Sequence, residues 1–458
     1  MQNSSHQHPA SWRDPSGFIF KKDNVIYRQV NQNFKEHFDF FLSSGCYDHL
    51  VKKDLLISHE EIKEDLSGTG EYYRTLKPEK IDLISYPYEW SFDMLKDAAL
   101  LTLQLVKESI PFGLIVKDAT PYNVQWHKGR FIFIDTLSFE KYNEEPWIAY
   151  RQFCENFLSP LLLMYYAKMP LQQLLLAYPE GIPLSITKNL LPKRSRFSLN
   201  IYLHVHLHAS MGEKSKGQVQ KTAKLSKQKL LNLVSSLESL IQKLKLPEQR
   251  STWSEYYDEA HSEKYLEEKK KIIRDWVSQL QNISTAADLG GNTGEFSKLL
   301  TEKNIRTTTT DFDPFCINHL YNEIRTNRLQ NIQPLVLDLS NPTPAIGVNN
   351  EERDAFISRC KVDLVMALAL IHHLAIGKNI PFEMVADLFG RVGKNLIIEF
   401  VPKTDEKIRF MLTQKKDIYP SYTQENFEHA FEKYFDIKAK QAIHSTGRTL
   451  YLMSKHER

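Results

Sequence analysis

The stretch AADLGGNTGEF, residues 286–296, decides how the second half of this chain is interpreted. An acidic residue ends an apolar run, and three glycines follow within six positions before a helix-like pattern begins. Glycine turns of this kind hold nucleotide-like ligands, because a backbone without side chains can approach a ligand closely. The stretch therefore predicts a cofactor site and leaves open which cofactor binds there.

The spacing of the glycines argues against a dinucleotide. The pattern G-x-G-x-x-G fails when it is started at Gly290, since Asn292 and Glu295 stand where glycine is required, and it also fails from Gly291. The spacing is D-x-G-x-x-x-G, with Asp288 just ahead of the turn. A carboxylate there repels a pyrophosphate and suits the cationic amino acid and sulfonium of S-adenosylmethionine. The turn therefore favours a methyl donor over NAD.

Each residue of the turn has an expected task. Gly290 and Gly291 are predicted to let the backbone approach the ligand, and Gly294 to let the next helix pack tightly. Asn292 occupies a position where many such turns have glycine. Asparagine tolerates the left-handed conformation well, so the turn is expected to survive the replacement.

Three further acids follow strand-like runs. Asp311 lies ~20 residues downstream of the glycine turn, where a carboxylate that accepts from ribose hydroxyls is expected. Asp313 is an alternative for that task. Asp338 ends PLVLD and is a candidate acceptor for the adenine amino group. An aspartate at a strand end is also a common turn former or helix cap, so each of these acids alone is weak evidence. The prediction of a cofactor site rests on their occurrence, in order, at the ends of successive strands.

After residue 250, β-rich runs alternate with helical stretches, which predicts an α/β domain with a parallel sheet covered on both faces. In PFEMVADLFG, Pro381 is expected to open a helix and Gly390 to close it. In such sheets, ligands bind beyond the carboxyl ends of the strands, where the strand order reverses. The runs predicted as strands are STAADL, RTTTTD, PLVLDL, DLVMALAL and NLIIEFV.

Residues 284–401 resemble the class I S-adenosylmethionine-dependent methyltransferases, through DLGGNTG, TTDFDP, VLDLS and DLVMALALIHHL in that order. The resemblance implies a Rossmann-like sheet of seven strands, one of them antiparallel. FDIKA and RTLYLMS are the candidates for the last two strands. The whole chain resembles the two-part bacterial nodulation-protein-like methyltransferases, through SYPYEW, KDATPYN, FIDTLSFE and IHHLAI.

Candidate catalytic residues follow the fourth and fifth predicted strands. An acceptor that must lose a proton needs a base, and His373, or else His372, is the natural candidate beside the methyl group. The alternative is that one of them packs or caps at a helix start. Glu399 is a candidate to orient the acceptor or, equally, to brace its loop. No NPPY or DPPY follows the fourth strand, which argues against amino-methyltransferases of adenine and glutamine.

The chain is predicted to divide near residue 245, after a lysine-rich stretch and a helical run that stops before Pro247. Residues 246–458 form the predicted methyl-donor domain, and residues 1–245 a predicted α+β domain that binds the acceptor. Aromatic residues at the start of the second domain, Trp253, Tyr256 and Tyr257, are candidates for a lid or for packing.

In the first domain, VKDATPYNVQWHKGRFIFIDTLSF resembles the catalytic loop and metal-binding aspartate of protein-kinase-like phosphotransferases. Asp118, Asn123 and Asp135 carry the resemblance. Val116-Lys117 and Thr136-Leu137 depart from the usual pattern, and no convincing glycine-rich loop precedes them. An active ATP-using enzyme, a degenerate kinase-like fold that binds substrate and an unrelated α+β domain all remain open.

Bulk properties limit the partners. The chain has 458 residues, of which 42% are hydrophobic and 25% charged, with a net charge of +3. A charge this small predicts neither nucleic acid nor a membrane as partner, and four separated cysteines suit a cytoplasmic protein. In HVHLH, residues 204–208, a metal site would need the three histidines on one strand face, but no acid or cysteine completes one, so no metal is expected.

These observations predict methyl transfer from S-adenosylmethionine to a small-molecule or glycan-type acceptor. The alternatives are a methyl-donor-binding module without catalysis and a bifunctional protein whose first domain uses ATP.

Overall fold

The computed structural model describes residues 7–210, 224–247, 263–444 and 446–456. The chain forms two compact units. The first is Met1–Pro247 with Ala345–Arg353, and the second is Glu248–Pro344 with Asp354–Arg458. Segment 345–353 therefore belongs to the first unit, although the residues on both sides of it belong to the second.

The first unit contains a four-stranded antiparallel sheet in the order β1-β2-β4-β3. The core on this sheet includes Val30, Phe34 and Phe38. Two shorter antiparallel pairs follow, β5 with β8 and β6 with β7. The strands are β1 (Gly17–Lys22), β2 (Val25–Asn31), β3 (His59–Ile62), β4 (Tyr72–Pro78), β5 (Leu114–Val116), β6 (Val124–His127), β7 (Arg130–Phe133) and β8 (Phe139–Lys141).

The longest helix of the first unit, Phe92–Ser109, is buried along most of its length, as its apolar sequence requires. Helical turns of π type widen the backbone at Cys154–Leu158 and at Tyr202–Leu207. The α-helices are α1 (Lys35–Ser43), α2 (Cys46–Lys52), α3 (Phe92–Ser109), α4 (Tyr150–Phe153), α5 (Ser159–Ala167), α6 (Leu174–Ala177), α7 (Leu184–Leu190), α8 (Leu199–Ile201) and α9 (Lys227–Lys243).

The second unit is built on a seven-stranded sheet in the order β11-β10-β9-β12-β13-β15-β14. Only β15 runs antiparallel to the other six strands, since it pairs antiparallel with both neighbours. All five predicted parallel strands and both C-terminal strands are thereby confirmed. The strands are β9 (Thr285–Leu289), β10 (Arg306–Asp311), β11 (Ile332–Val336), β12 (Val362–Ala367), β13 (Gly393–Phe400), β14 (Phe435–Ala442) and β15 (Thr449–Lys455).

Burial follows the position of each strand in this sheet. The inner strands β9 and β12 are buried on both faces, and β14 at the edge alternates between buried and exposed residues at its start. The helices of this unit are α10 (Glu263–Gln279), α11 (Glu295–Thr301), α12 (Pro314–Asn327), α13 (Phe356–Arg359), α14 (Phe382–Val392), α15 (Glu406–Thr413) and α16 (Gln424–Phe431).

The prediction that Gly390 closes its helix is wrong. The helix α14 starts after Pro381, as predicted, but continues through Gly390 to Val392. Gly390 is buried there, and a Cβ atom at this position would lie 3.6 Å from the Phe435 ring. A methyl group would therefore fit at ordinary contact distance, so the glycine neither terminates the helix nor is required by the packing around it.

None of the helices in the described ranges is both long enough and apolar enough to cross a membrane.

Candidate functional site

The strand order of the second unit reverses between β9 and β12. From β9 the sheet continues through β10 and β11 on one side, and from β12 through β13 on the other. Helices on opposite faces leave a crevice beyond the carboxyl ends of two such strands. The residues that follow β9 and β12, Gly290 and Leu368, begin the segments that border this position.

The glycine turn has an irregular backbone fixed to the neighbouring strand. Gly290, Asn292 and Gly294 have positive φ angles of 73°, 51° and 76°. The N–H groups of Gly290 and Gly291 both donate to the carbonyl oxygen of Thr310, at 2.8 and 2.9 Å. Asn292 therefore adopts the conformation that asparagine is expected to tolerate, and the turn is held by strand β10 as well as by β9.

The two adjacent glycines face different surroundings. A Cβ atom on Gly290 would lie 2.9 Å from Leu370 Cδ1, in the segment after β12. A Cβ atom on Gly291 would lie 2.7 Å from Thr309 Cγ2 and 2.8 Å from Asp288 Oδ2. Gly291 thus packs its backbone onto the sheet, and Gly290 packs its backbone against the border of the crevice.

Asp288 lies buried beneath this turn. Its Oδ2 accepts a 2.6 Å hydrogen bond from the Ser297 hydroxyl, which in turn accepts one from Thr309. Burial raises the pKa of Asp288 to about 6, against the lowering effects of Ser297 and Lys269. The carboxylate therefore ties the first turn of helix α11 to the end of β9 and places an acid directly below the glycine turn.

Asp311 links the glycine turn to the loop after β10. Its Oδ2 accepts from the Asn292 N–H and its Oδ1 from the Asp313 N–H, both at 2.9 Å. Burial raises the pKa of Asp311 to about 6. Asp313 itself caps helix α12 through a 2.8 Å hydrogen bond from the Phe315 N–H. A carboxylate oxygen with one N–H donor retains a lone pair, so Asp311 can still accept from a ligand hydroxyl.

Asp338 lies two residues beyond β11. Its Oδ1 accepts from the backbone N–H and the hydroxyl of Ser340, at 2.8 and 2.6 Å. The ammonium group of Lys378 lies 3.7 Å from its Oδ2. Asp338 thus forms the turn after the third parallel strand, and its side chain is more accessible than those of Asp288 and Asp311.

His372 and His373 follow β12; His372 is fully buried and His373 is partly buried. Their ring centroids are 4.0 Å apart. Neither ring nitrogen of His372 has a hydrogen-bond partner among the described residues. Burial lowers the pKa of His372 well below its usual value and, with Arg448 and Lys407, lowers that of His373 to about 4. Both imidazoles are therefore neutral at pH 7.

Glu399 lies in a buried ion-pair network at the end of β13. It accepts from Tyr265 Oη at 2.7 Å and from Lys269 Nζ at 2.6 Å, and Arg448 Nη1 lies 3.4 Å away. Burial alone would raise its pKa, but Lys269 and Arg448 lower it to about 2. Arg448 also binds Asp405, at 2.8 Å. Both carboxylate oxygens of Glu399 are thus engaged within the protein. This is the arrangement expected if Glu399 braces the loop that follows β13.

Lys269 and Arg448 are not among the residues singled out from the sequence. A signal for Lys269 exists, because it falls on the apolar face of α10 that includes Tyr265, Ile273 and Trp276. A lysine at such a position needs a buried partner. The Lys269 ammonium also lies 4.7 Å from the centroid of the Phe296 ring, on the helix that follows the glycine turn.

In the first unit, the kinase-like residues lie near one another. Asp118 accepts from Gln152 at 2.7 Å, and burial and the charge of Asp135 raise its pKa, whereas the amide nitrogen of Asn123 is buried without a hydrogen-bond partner among the described residues. Asp135 is buried and forms an ion pair with Arg28. Burial would raise the pKa of Asp135, but Arg28 and neighbouring donors lower it. The carboxylate of Asp135 is therefore ionised and held by an arginine.

The histidines of HVHLH lie on a π-helical turn and not on a strand. His204 is bound by Tyr150 Oη at 2.7 Å and by Ser236 Oγ at 3.0 Å, and His206 by Ser195 Oγ at 2.8 Å. The described residues contain no group of three or more His, Cys, Asp or Glu that could hold a metal ion. Trp253, Tyr256 and Tyr257, the candidate lid, lie outside the described residues.

Seven strands in this order, with one antiparallel strand and a glycine turn after the first, define the class I methyltransferase fold of the second unit. No family model matches the chain. The chain is 33% identical to nodulation protein NoeA of Rhizobium meliloti (strain 1021) over 460 residues, which cover 98% of this chain and 96% of that protein. The chain therefore belongs to the NoeA family.

Solved structures with similar parts include methyltransferases. The bifunctional kinase-methyltransferase WbdD is 18% identical, with a TM-score of 0.32 over 48% of this chain and 46% of that one, so the chain matches about half the length of WbdD. A magnesium protoporphyrin IX methyltransferase from Synechocystis PCC 6803, solved with bound SAH, is 13% identical, with a TM-score of 0.31 over 42% of this chain and 84% of that one.

Proposed function

We propose that the second unit binds S-adenosylmethionine and transfers its methyl group to a small-molecule or glycan-type acceptor. The observation that carries the proposal is the turn at Gly290, fixed by the Asp311 carboxylate at the point where the strand order reverses. Ligands bind at this point in open α/β sheets. The glycine spacing and the buried Asp288 disfavour a diphosphate there.

The residues present fit the proposed cofactor. Asp311 retains accepting capacity for ribose hydroxyls, with Asp313 beside it, and Asp338 is the candidate acceptor for the adenine amino group. A side chain at Gly290 would lie against Leu370, so glycine lets the backbone of the turn approach the segment after β12 closely. The charge of Asp288 below the turn complements a cationic methionine moiety. When bound, S-adenosylmethionine supplies an activated methyl group.

The task of the protein is then to orient the acceptor and exclude water, since the methyl group is already activated. His372 and His373 are neutral and lie after β12 at the border of the crevice. The lowered pKa values make both imidazoles weak bases, so the role that they fit is to accept a hydrogen bond from an acceptor hydroxyl, and His373 remains the first candidate. The bracing contacts of Glu399 support a role in positioning the loop after β13.

Replacing Asp311 by alanine is expected to weaken binding of S-adenosylhomocysteine by about 5-fold to 150-fold, which corresponds to the ~1–3 kcal/mol of a lost buried hydrogen bond. Isothermal titration calorimetry on the full chain measures this. Asp387→Ala is the matched control, since Asp387 is a half-exposed aspartate on α14 that lies 4.0 Å from Arg391. The control is expected to bind as the wild type does.

The pH dependence of the same titration gives a second readout. Because the pKa of Asp311 is about 6, its carboxylate becomes protonated as the pH falls from 7 to 5 and loses accepting capacity. Wild-type affinity should therefore fall by up to about tenfold per pH unit below pH 6, and Asp311→Ala should show a flatter profile. Heat with NADH but none with S-adenosylhomocysteine would overturn the proposed cofactor.

Catalysis is tested separately from cofactor binding. Incubation with methyl-labelled S-adenosylmethionine and fractionated lysate should transfer label to a fraction of small molecules or glycans. Binding of S-adenosylhomocysteine without label transfer to any fraction would favour the alternative, a methyl-donor-binding module. Label found only in nucleic acid would contradict the proposed acceptor class.

A second candidate function is ATP use by the first unit. It is favoured by the electrostatic effect of Asp135 on Asp118 and by the buried Asn123 amide nitrogen, which has no hydrogen-bond partner among the described residues. In phosphotransferases of that kind, one aspartate accepts a hydroxyl proton, and the asparagine and the second aspartate hold magnesium. The ion pair between Asp135 and Arg28 competes with this use of Asp135.

If this second function exists, the full chain should bind ATP only with magnesium, and both Asp135→Asn and Asn123→Ala should abolish binding. Fluorescence titration with an ATP analogue measures the effect. Two variants are needed because Asp135→Asn leaves the partly buried Arg28 without its anionic partner and carries a risk to folding. Asp54→Asn, at an exposed ion pair with Arg130, is the control. Absence of ATP binding by the wild type would exclude this function.

A further inference from the structure

The helical segment that follows α7 in the first unit carries apolar residues on its outer face as well as on its buried face. Leu199, Tyr202, Leu203 and Leu207 are exposed, and they recur at the i, i+3, i+4 and i+8 spacing of one helix face. The opposite face carries His204 and His206, which are buried. Ile201 and Val205 are buried on that opposite face as well, so the segment differs from an ordinary surface helix in having a second, exposed apolar face.

Phe197 extends this exposed surface at the start of the segment. Its side chain is 92% exposed and that of Leu199 is 69% exposed. Five large apolar side chains within eleven residues exceed the scattered single exposures that are normal on a protein surface. We call this surface the 193–207 face, and it consists of Lys193, Arg194, Arg196, Phe197, Leu199, Tyr202, Leu203 and Leu207.

The same face is positively charged. Lys193, Arg194 and Arg196 are exposed, and none of them forms an ion pair with an acid within the ranges that the structure describes. The sequence contains no acidic residue from Gly181 to Gly212 and has four basic ones. Although the net charge of the whole chain is small, this surface has a local excess of positive charge. A partner that docks here interacts with that local charge and not with the net charge.

We propose that the 193–207 face docks the protein on the surface of an anionic lipid bilayer. Leucine and phenylalanine side chains flanked by arginine and lysine are the composition of interfacial segments, in which apolar residues enter the acyl boundary and cations meet the headgroups. The leucines offer nothing to bases or phosphates, which favours lipid over nucleic acid. The proposal is independent of the proposed methyl transfer.

Co-sedimentation of the full chain with lipid vesicles tests the proposal. The protein should bind vesicles that contain equal amounts of phosphatidylcholine and phosphatidylglycerol, remain in solution with pure phosphatidylcholine, and bind less as salt increases. Phe197→Ser combined with Leu199→Ser should weaken binding by more than about tenfold. Arg194→Gln combined with Arg196→Gln should weaken it by about 30-fold, since each cation near an anionic surface contributes roughly a factor of five.

Ile148→Ser is the matched control, because Ile148 is 73% exposed in the same unit and lies outside the 193–207 face. It should bind vesicles as the wild type does. All substituted residues are exposed, so circular dichroism spectra should be unchanged.

Several outcomes overturn the proposal. These are no binding to anionic vesicles, equal binding to both vesicle types, or an equal loss in the Ile148 control. Two other outcomes would overturn the proposal by indicating a different role for the 193–207 face. Binding of a single-stranded oligonucleotide that only the arginine variants lose indicates a nucleic-acid site. A dimer in light scattering that Phe197→Ser converts to monomer, without vesicle binding, indicates an interface between copies of the chain.

Discussion

Replacing Glu399 by glutamine is expected to destabilise the second unit by about 3–5 kcal/mol, the usual cost of removing one partner from a buried ion pair. The carboxylate and the Arg448 guanidinium are fully buried, and Lys269 is almost so. Glutamine keeps the shape of the side chain but leaves Lys269 without its countercharge, while Arg448 keeps its ion pair with Asp405. The expected loss is therefore electrostatic and is not caused by a cavity.

Native-state hydrogen exchange is the appropriate measurement, because a chain of two units has no single free energy of unfolding. Amides of strand β13 and helix α10 should exchange with a correspondingly lower opening free energy in the variant. Glu383→Gln is the control, since Glu383 pairs with Lys433 in the same unit and both side chains are 49% exposed. Exposed pairs contribute about 0–1 kcal/mol. An effect in Glu399→Gln as small as in this control would show that the network is not needed for stability.

Replacing Gly294 by alanine is expected to destabilise the second unit by about 2–5 kcal/mol. Gly294 has a φ of +76°, and an L-residue in the left-handed conformation costs about 1–2 kcal/mol. A Cβ atom there would also lie 2.7 Å from Leu320 Cδ1 on helix α12, and overpacking costs about 1–3 kcal/mol. Leu320 or helix α11 must move to relieve the contact, which displaces the glycine turn.

Amide exchange in β9 and α11 checks this prediction, and S-adenosylhomocysteine binding is expected to weaken in parallel. Gly377→Ala is the matched control, because Gly377 lacks a positive φ and its nearest neighbour, Met411 Cε, would lie 3.5 Å from the new Cβ. This control should change stability by less than about 0.5 kcal/mol. A Gly294→Ala protein with wild-type exchange would mean that the helix accommodates the methyl group at little cost.

The sheet of the second unit could be predicted from the sequence because its strands are short, β-rich and separated by helical patterns. The run RTTTTD is an example, since four threonines in succession disfavour a helix and the run became strand β10. The irregular glycine turn could be anticipated as well, because Gly290 and Gly294 are the residues that left-handed conformations require.

Long-range electrostatics could not be predicted in this way. Lys269 and Glu399 are separated by 130 positions, and Arg448 pairs with both Glu399 and Asp405, so no local pattern joins them. Gly390 misled the prediction for a different reason. A glycine near a helix end suggests a terminus, but Gly390 has no positive φ and helix α14 continues past it to Val392. The roles of the site residues themselves remain predictions.

The return of segment 345–353 to the first unit limits how the protein can be divided. The Glu352 carboxylate accepts from the indole N–H of Trp12 and, at 3.1 Å, from Arg13 Nε. The Arg353 guanidinium lies 3.7 Å from the centroid of the Tyr122 ring. Cutting the gene after residue 247 therefore deprives one product of these side chains and leaves the other with a segment whose partners are missing. The first unit is consequently complete only when the chain of the second unit is present to supply this segment.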